Sequence, residues 1–196
     1  LSTLGHPRWA LSMLSANRRY FGNIVGHVSG VSDTSSLSEW TAKQFDPALT
    51  WNDVAWIKEA WDGPLIIKGI MTPEDARLAL ESGADAIVVS NHGGRQLDGA
   101  PATVEVLPEI KDSLGNELEV WIDGGIRSGQ DVLRVLALGA DAAMIGRPYI
   151  YGLGALGEKG VIKALEIIRA ELDLSMAFCG RTSVEAVDAS ILWHSM

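Results

Sequence analysis

The 196-residue chain holds a single cysteine, Cys179, so no intrachain disulfide can form and a reducing compartment fits it. It has no apolar run of about 18 residues, which excludes an ordinary transmembrane helix. No signal peptide is visible; the chain opens on LSTLGHPRW, with Leu1 in place of Met, and is expected to be a fragment or a processed product. Basic residues are in the minority, 16 Lys and Arg against 25 Asp and Glu, for a net charge of -9 and a pI near 4.8. That balance excludes a general nucleic-acid surface. It leaves room for a local anion site, which needs only a few aimed N–H groups and an arginine. Histidine is scarce too. No two of His6, His27, His92 and His194 recur at metal-ligand spacing, so no metal is expected.

What is present suits one well-buried core, with 47% hydrophobic and 21% charged residues. The charge is uneven. Residues 1–45 carry Arg8, Arg18, Arg19 and Lys43 against Asp33 and Glu39, a net +2, so the remainder carries -11. Residues 1–50 hold Gly, Ser and Asn clusters (SGVSDTSS) and weak periodicity, and read as a loop or insert segment covering the rest. Within them Arg18, Arg19, Tyr20 and Phe21 suit a helix or an exposed loop. SSLSEWTAKQF (35–45) suits a short amphipathic helix.

From Trp51 onward, strand and helix alternate. LIIK (65–68) and AIVVS (86–90) read as buried strands, as do VWID (120–123) and AAMIG (142–146). Thr72-Pro73-Glu74 starts a helix that ends at Gly83, and Ser128 caps one running to Leu138 and ending at Gly139. TVEVLPEIKDSL (103–114) predicts a helix kinked or restarted near Pro108. A long helical pattern covers about 157–177, and a short one 183–189. LALESGADAIVVS and RVLALGADAAMIG echo each other, which predicts two equivalent joints where Gly ends a helix and Asp85 or Asp141 turns the chain into the next parallel strand. Four right-handed βα units are half of a (β/α)8 barrel; a doubly wound sheet is the rival.

In a parallel barrel, function collects at the carboxyl ends of the strands. Here those ends carry Lys68, then SNHGGR (90–95), then DGGIRSG (123–129), then Gly146-Arg147-Pro148, while the opposite ends are plain turns. The last two resemble a phosphate cradle. Glycines let backbone approach an anion, a following helix terminus points N–H groups at it, and Arg127 and Arg147 add charge-assisted bonds. Lys68 at a buried strand end calls for an anionic partner. His92 suits a general base, since an imidazole ordinarily titrates near neutrality. Arg95 can hold a carboxylate bidentately. That pairing argues against a different phosphate-binding barrel enzyme such as an isomerase.

SNHGGRQLDG, DGGIRSGQD, the KG of IIKG and the IGRP after ALGADA together resemble the FMN-dependent α-hydroxy-acid dehydrogenase and oxidase family. The match runs from about His6 to residue 190, and FDPALTWNDVAWIKEAWDGPLIIKGI is most similar to its bacterial L-lactate dehydrogenase branch, with mandelate dehydrogenase next. The resemblance implies FMN-dependent oxidation of an L-2-hydroxy acid, lactate favoured, to the 2-oxo acid, with quinone, cytochrome or oxygen as electron acceptor. It implies that His92 takes a substrate proton and Arg95 binds the substrate carboxylate. By the same resemblance Lys68 is expected near flavin N1 and O2, Ser90 against the flavin and Asp123 on the ribityl chain, with Gly124, Gly125, Ile126, Arg127, Gly146 and Arg147 forming the FMN phosphate cradle.

The resemblance also implies an eight-stranded barrel, of which residues 51–196 supply strands 5–8. A missing amino-terminal half or a partner chain is therefore expected, and the isolated chain is expected to be inactive without it. The family resemblance further implies a homo-oligomer, a tetramer. The alternative function is a split or inactive half-barrel that binds FMN or phosphate as a structural module. The expected location is cytoplasmic, with peripheral attachment to the inner membrane through residues 10–45 as the variant seen in membrane-bound relatives.

Overall fold

The computed structural model describes residues 5–15, 24, 27–30, 34–44 and 46–193. The chain divides into two compact units, Leu1–Leu49 and Thr50–Met196. The first holds α1 (Pro7–Ser15) and α2 (Thr34–Gln44). The helix expected at 35–45 is therefore present, though Phe45 lies outside the described residues. So do Arg18, Arg19, Tyr20, Phe21 and His194.

The second unit runs α3 (Trp51–Trp61), β1 (Ile66–Ile70), α4 (Pro73–Glu81), β2 (Ala86–Val89), α5 (Thr103–Leu114), β3 (Glu119–Ile122), α6 (Gly129–Ala137), β4 (Ala142–Ala143), α7 (Arg147–Leu156) and α8 (Glu158–Phe178). Short 3-10 turns cover Val184–Ala186 and Ala189–Ile191. The four strands form one parallel sheet in the order β1-β2-β3-β4, each joined to the next through a helix.

The caps sit where the residues demand them. Thr72 accepts the N–H of Asp75 at the start of α4, and Ser128 accepts that of Asp131 at the start of α6. Gly83 and Gly139 follow these helices at φ +84° and +100°. The echo in the sequence is an echo in space. Asp85 accepts the N–H of Leu65, which opens β1, and pairs with Lys58 of α3. Asp141 accepts the N–H of Val120 in β3 and pairs with Lys111 of α5. Each aspartate thus ties the helix and strand of the preceding unit to its own strand. The hydrogen bond from Lys58, followed by the one from Leu65, holds the Asp85 carboxyl below its usual range.

Two elements depart from expectation. α5 is unbroken, because Pro108 gives up one backbone bond while Leu107, Ile110 and Leu114, all fully buried, hold the helix to the sheet. The strand expected over 142–146 keeps only Ala142–Ala143. Among the described residues β4 pairs with β3 alone; Met144 makes one further bond to Ile122, and the chain then turns into α7.

Alternation divides each strand between two faces. Ile87, Val89, Val120 and Ile122 join Ala76, Ala79, Leu107, Ile110 and Val135 from α4, α5 and α6 in the core. The other face carries Lys68, Val88 and Trp121 in one cross-strand row, and Ser90 and Asp123 beyond it.

Candidate active site

The carboxyl ends of the strands gather the polar residues. Lys68 Nζ lies 2.7 Å from Ser90 Oγ and 2.6 Å from the Asp123 carboxylate, and Ser90 donates to Asp123 at 2.6 Å. Ser90 is almost wholly buried, so its hydroxyl is fixed by what it bonds. It does a second job by accepting the N–H of His92 at 3.1 Å.

His92 opens a 3-10 turn, His92–Gly94, and takes φ +53°, a left-handed value uncommon outside glycine. Its ring lies over β1. The register between β1 and β2 slips between Lys68 and Ile70, leaving Gly69 in a bulge at φ +104°. A Cβ on Gly69 would come within 3.0 Å of His92 Nε2. The glycine after Lys68 is what lets the imidazole approach the strand.

A cleft of about 280 Å³ opens beside this group. Gly93 and Arg95 line it from the end of β2, and Asp123, Gly124, Gly125, Ile126 and Arg127 from the end of β3. Met144, Ile145, Gly146, Arg147 and Ile150 close it from β4 and α7. A Cβ at Gly125 or Gly146 would meet nothing within 4 Å, so the backbone there faces open space. Gly124 is different, since a Cβ would strike Thr103 Oγ1 at 2.8 Å. The buried Thr103 donates to the Asp123 carbonyl at 2.7 Å and so sets that turn. His92, Lys68 and Ser90 stand beside the cleft, linked to it through Gly93 and Asp123.

Only one of the two nearby helix termini is open to an anion. At α6, Asp131 Oδ2 accepts the N–H groups of Arg127 and Ser128, and Glu171 of α8 accepts that of Gly129. Burial works against the charged form of Asp131, but these bonds, the Ser128 hydroxyl and the charge of Arg134 outweigh it and hold the carboxyl below its usual range. At α7, Gly146 supplies no side-chain cap, so that terminus faces the cleft with its N–H groups uncapped by a side chain. α6 is capped by Ser128, Asp131 and Glu171, and the terminus without a side-chain cap is that of α7.

The residues expected at the site, His92, Arg95, Lys68, Ser90, Asp123, Gly124 to Arg127, Gly146 and Arg147, lie in this group or in the cleft beside it. Sequence reasoning missed Gly69, Asn91, Thr103 and Ile150. Gly69 and Asn91 stand inside the IIKG and SNHGGRQLDG motifs, but Gly69 meets His92 and Asn91 reaches Pro101, contacts that span the loop or the sheet. Among the described residues no group of three His, Cys, Asp or Glu side chains could hold a metal ion.

A family model described as FMN-dependent dehydrogenase matches residues 1–194. The L-lactate dehydrogenase of Pseudomonas syringae pv. syringae is 48% identical over 193 residues, covering 98% of this chain and 51% of that protein. That of Pectobacterium atrosepticum is 44% identical over 193 residues, covering 98% and 50%. Among solved structures, the monotopic membrane protein (S)-mandelate dehydrogenase superposes with a TM-score of 0.88 at 35% identity, over 97% of this chain and 50% of that one. A mandelate oxidase bound to (S)-4-hydroxymandelic acid gives 0.74 at 47% identity, over 78% and 43%. The chain spans about half the length of the curated relatives it matches.

Proposed function

The chain belongs to the FMN-dependent dehydrogenase family, and on that basis we propose that the protein oxidises an L-2-hydroxy acid, L-lactate foremost, to the 2-oxo acid. One observation carries the proposal. A base–arginine turn and an arginine-lined cleft share one rim of the sheet, with the Lys68–Ser90–Asp123 network between them.

The residues fit FMN on chemical grounds. Arg127, Arg147 and the open terminus of α7 suit a phosphate dianion, and the bare backbone at Gly125 and Gly146 lets it approach. Lys68, Ser90 and Asp123 supply a cation, a hydroxyl and a carboxylate for the polar edge of a flavin and its ribityl hydroxyls. Bound there, FMN supplies the two-electron acceptor for oxidation at the substrate α-carbon. Arg95 holds the substrate carboxylate in its planar fork. His92 takes a proton from the substrate, its backbone held by Ser90 and its ring seated over Gly69.

In the whole protein, β1 and β4 are proposed to meet four further strand–helix units that complete a (β/α)8 barrel. Each pairs on one side only among the described residues, and Ile66 and Met144 lie exposed at these edges. The test is anaerobic. Full-length protein loaded with FMN is expected to be yellow and to bleach with L-lactate or another L-2-hydroxy acid. A colourless preparation that takes up no added FMN overturns the proposal. Uptake of FMN without bleaching by any acid in a panel supports the half-barrel binding module instead.

A second reading concerns the first unit. The monotopic membrane neighbour covers 97% of the chain, too much to omit Leu1–Leu49, and α1 exposes Trp9, Leu11 and Leu14. No helix among the described residues is long and apolar enough to cross a membrane. Peripheral attachment through this unit is proposed, with exposed apolar side chains entering the headgroup region. Co-sedimentation with anionic vesicles is expected to fall when Trp9, Leu11 and Leu14 are all changed to Ser. An unchanged bound fraction, or no binding by the parent protein, overturns it.

A further inference from the structure

We propose that Asn91 is the positioning residue that clasps the His92–Arg95 turn, and that this clasp sets the rate of the chemical step without holding FMN. The inference rests on the reading of His92 as base and Arg95 as carboxylate ligand.

The turn needs such a device. Residues 92–99 are all exposed, so little side-chain packing fixes them, and His92 sits in a left-handed conformation that an untied loop would relax. Asn91 stands at the neck of this loop. Its amide oxygen accepts the N–H of Gly94 at 3.1 Å, and its amide nitrogen donates to the carbonyl of Pro101 at 3.1 Å. The orientation of the amide follows from the partners, since an N–H can only donate and a carbonyl only accept. One side chain therefore ties the turn bearing His92 and Arg95 to the far end of the loop, ten residues on. Pro101 lies two residues before Thr103, which is bonded to the Asp123 carbonyl. The same amide oxygen lies 3.8 Å from where a Cβ on Gly124 would sit. Asn91 thus connects the base–arginine turn to the wall of the cleft while lining neither.

Alanine at 91 removes both bonds and leaves the backbone bond from Gly94 N–H to the Asn91 carbonyl as the turn's own closure. Aspartate keeps the acceptor for Gly94 and loses the donor to Pro101. Two measurements on the full-length protein test the proposal, and one needs neither flavin nor substrate. Arg95 is a tryptic site within the exposed loop, so Asn91→Ala is expected to speed cleavage after Arg95 several-fold, with Asn91→Asp between it and the parent. With FMN bound, the rate of flavin reduction by the hydroxy acid is expected to fall by about 100-fold for Asn91→Ala and less for Asn91→Asp, the FMN dissociation constant changing by less than about twofold.

Unchanged cleavage and unchanged reduction overturn the clasp. A loss of FMN affinity and thermal stability in step with the rate also overturns it, because Asn91 is then a general structural residue. Faster cleavage after Arg95 in a protein whose parent form never bleaches supports the clasp and overturns the proposed oxidation instead.

Discussion

Replacing His92 with alanine is expected to slow reduction of bound FMN by the hydroxy acid by about 100- to 10,000-fold, the usual range for loss of a positioned base. FMN is expected to stay bound. The imidazole lies over Gly69 outside the cleft, and the main tie at this position runs from the His92 N–H to Ser90, which alanine keeps. The backbone conformation is the one complication, since alanine tolerates φ +53° no better than histidine does. Anaerobic stopped-flow absorbance with a separate FMN titration distinguishes the cases. Reduction at the parent rate removes His92 as base. Loss of flavin affinity makes it part of the cofactor site.

The second large effect is on stability. Gly129→Ala is expected to destabilise the protein by about 3 kcal/mol or more, at or beyond the upper end for overpacking. Gly129 is buried at the start of α6, and α8 crosses directly over it. A Cβ there would lie 2.1 Å from the Leu172 nitrogen and 2.4 Å from the Ile168 carbonyl oxygen. Both are backbone atoms of a helix, so no side chain can swing aside and α8 itself must move. That movement also breaks the bond from the Gly129 N–H to Glu171. In a chain of this size such a loss lowers the melting temperature by roughly 6–12 °C. Gly154→Ala is the control. Gly154 lies within α7 with nothing within 4 Å of a Cβ, and the change is expected to stabilise by about 0.4–1 kcal/mol. Thermal unfolding of both variants checks the contrast; equal melting temperatures contradict it.

α7 and α8 illustrate why some elements cannot be read from sequence. The long pattern of α8 is visible. α7 is not, because Pro148 stands in its first turn and Gly152 and Gly154 lower its helix propensity. Gly152 is there for contact. A Cβ on Gly160 would fall 1.9 Å from the Gly152 carbonyl oxygen, so two glycines let the backbones of α7 and α8 touch. β4 fails in the opposite sense. AAMIG has strand character throughout, but only Ala142 and Ala143 pair with β3 before the chain turns into α7.

The sequence by itself determined what depends on near neighbours. It set the strand–helix alternation, the caps at Thr72 and Ser128, the paired Asp85 and Asp141 joints, and the placing of His92, Arg95, Lys68, Asp123, Arg127 and Arg147 at the carboxyl ends of strands. The alternation and the caps follow from side-chain periodicity and from hydrogen bonds spanning three or four residues, while the joints follow from the repeated Gly-Ala-Asp-Ala, whose aspartates find their partners 20 and 21 residues back only in the folded chain. Tertiary structure alone decided the contacts that join distant segments. Gly69 makes room for His92, Asn91 reaches Pro101, Thr103 holds Asp123, and Glu171 caps α6 so that the open helix terminus at the cleft is that of α7. A residue's type states what it can bond, while only the folded chain brings a partner from 10 to 42 residues away within reach.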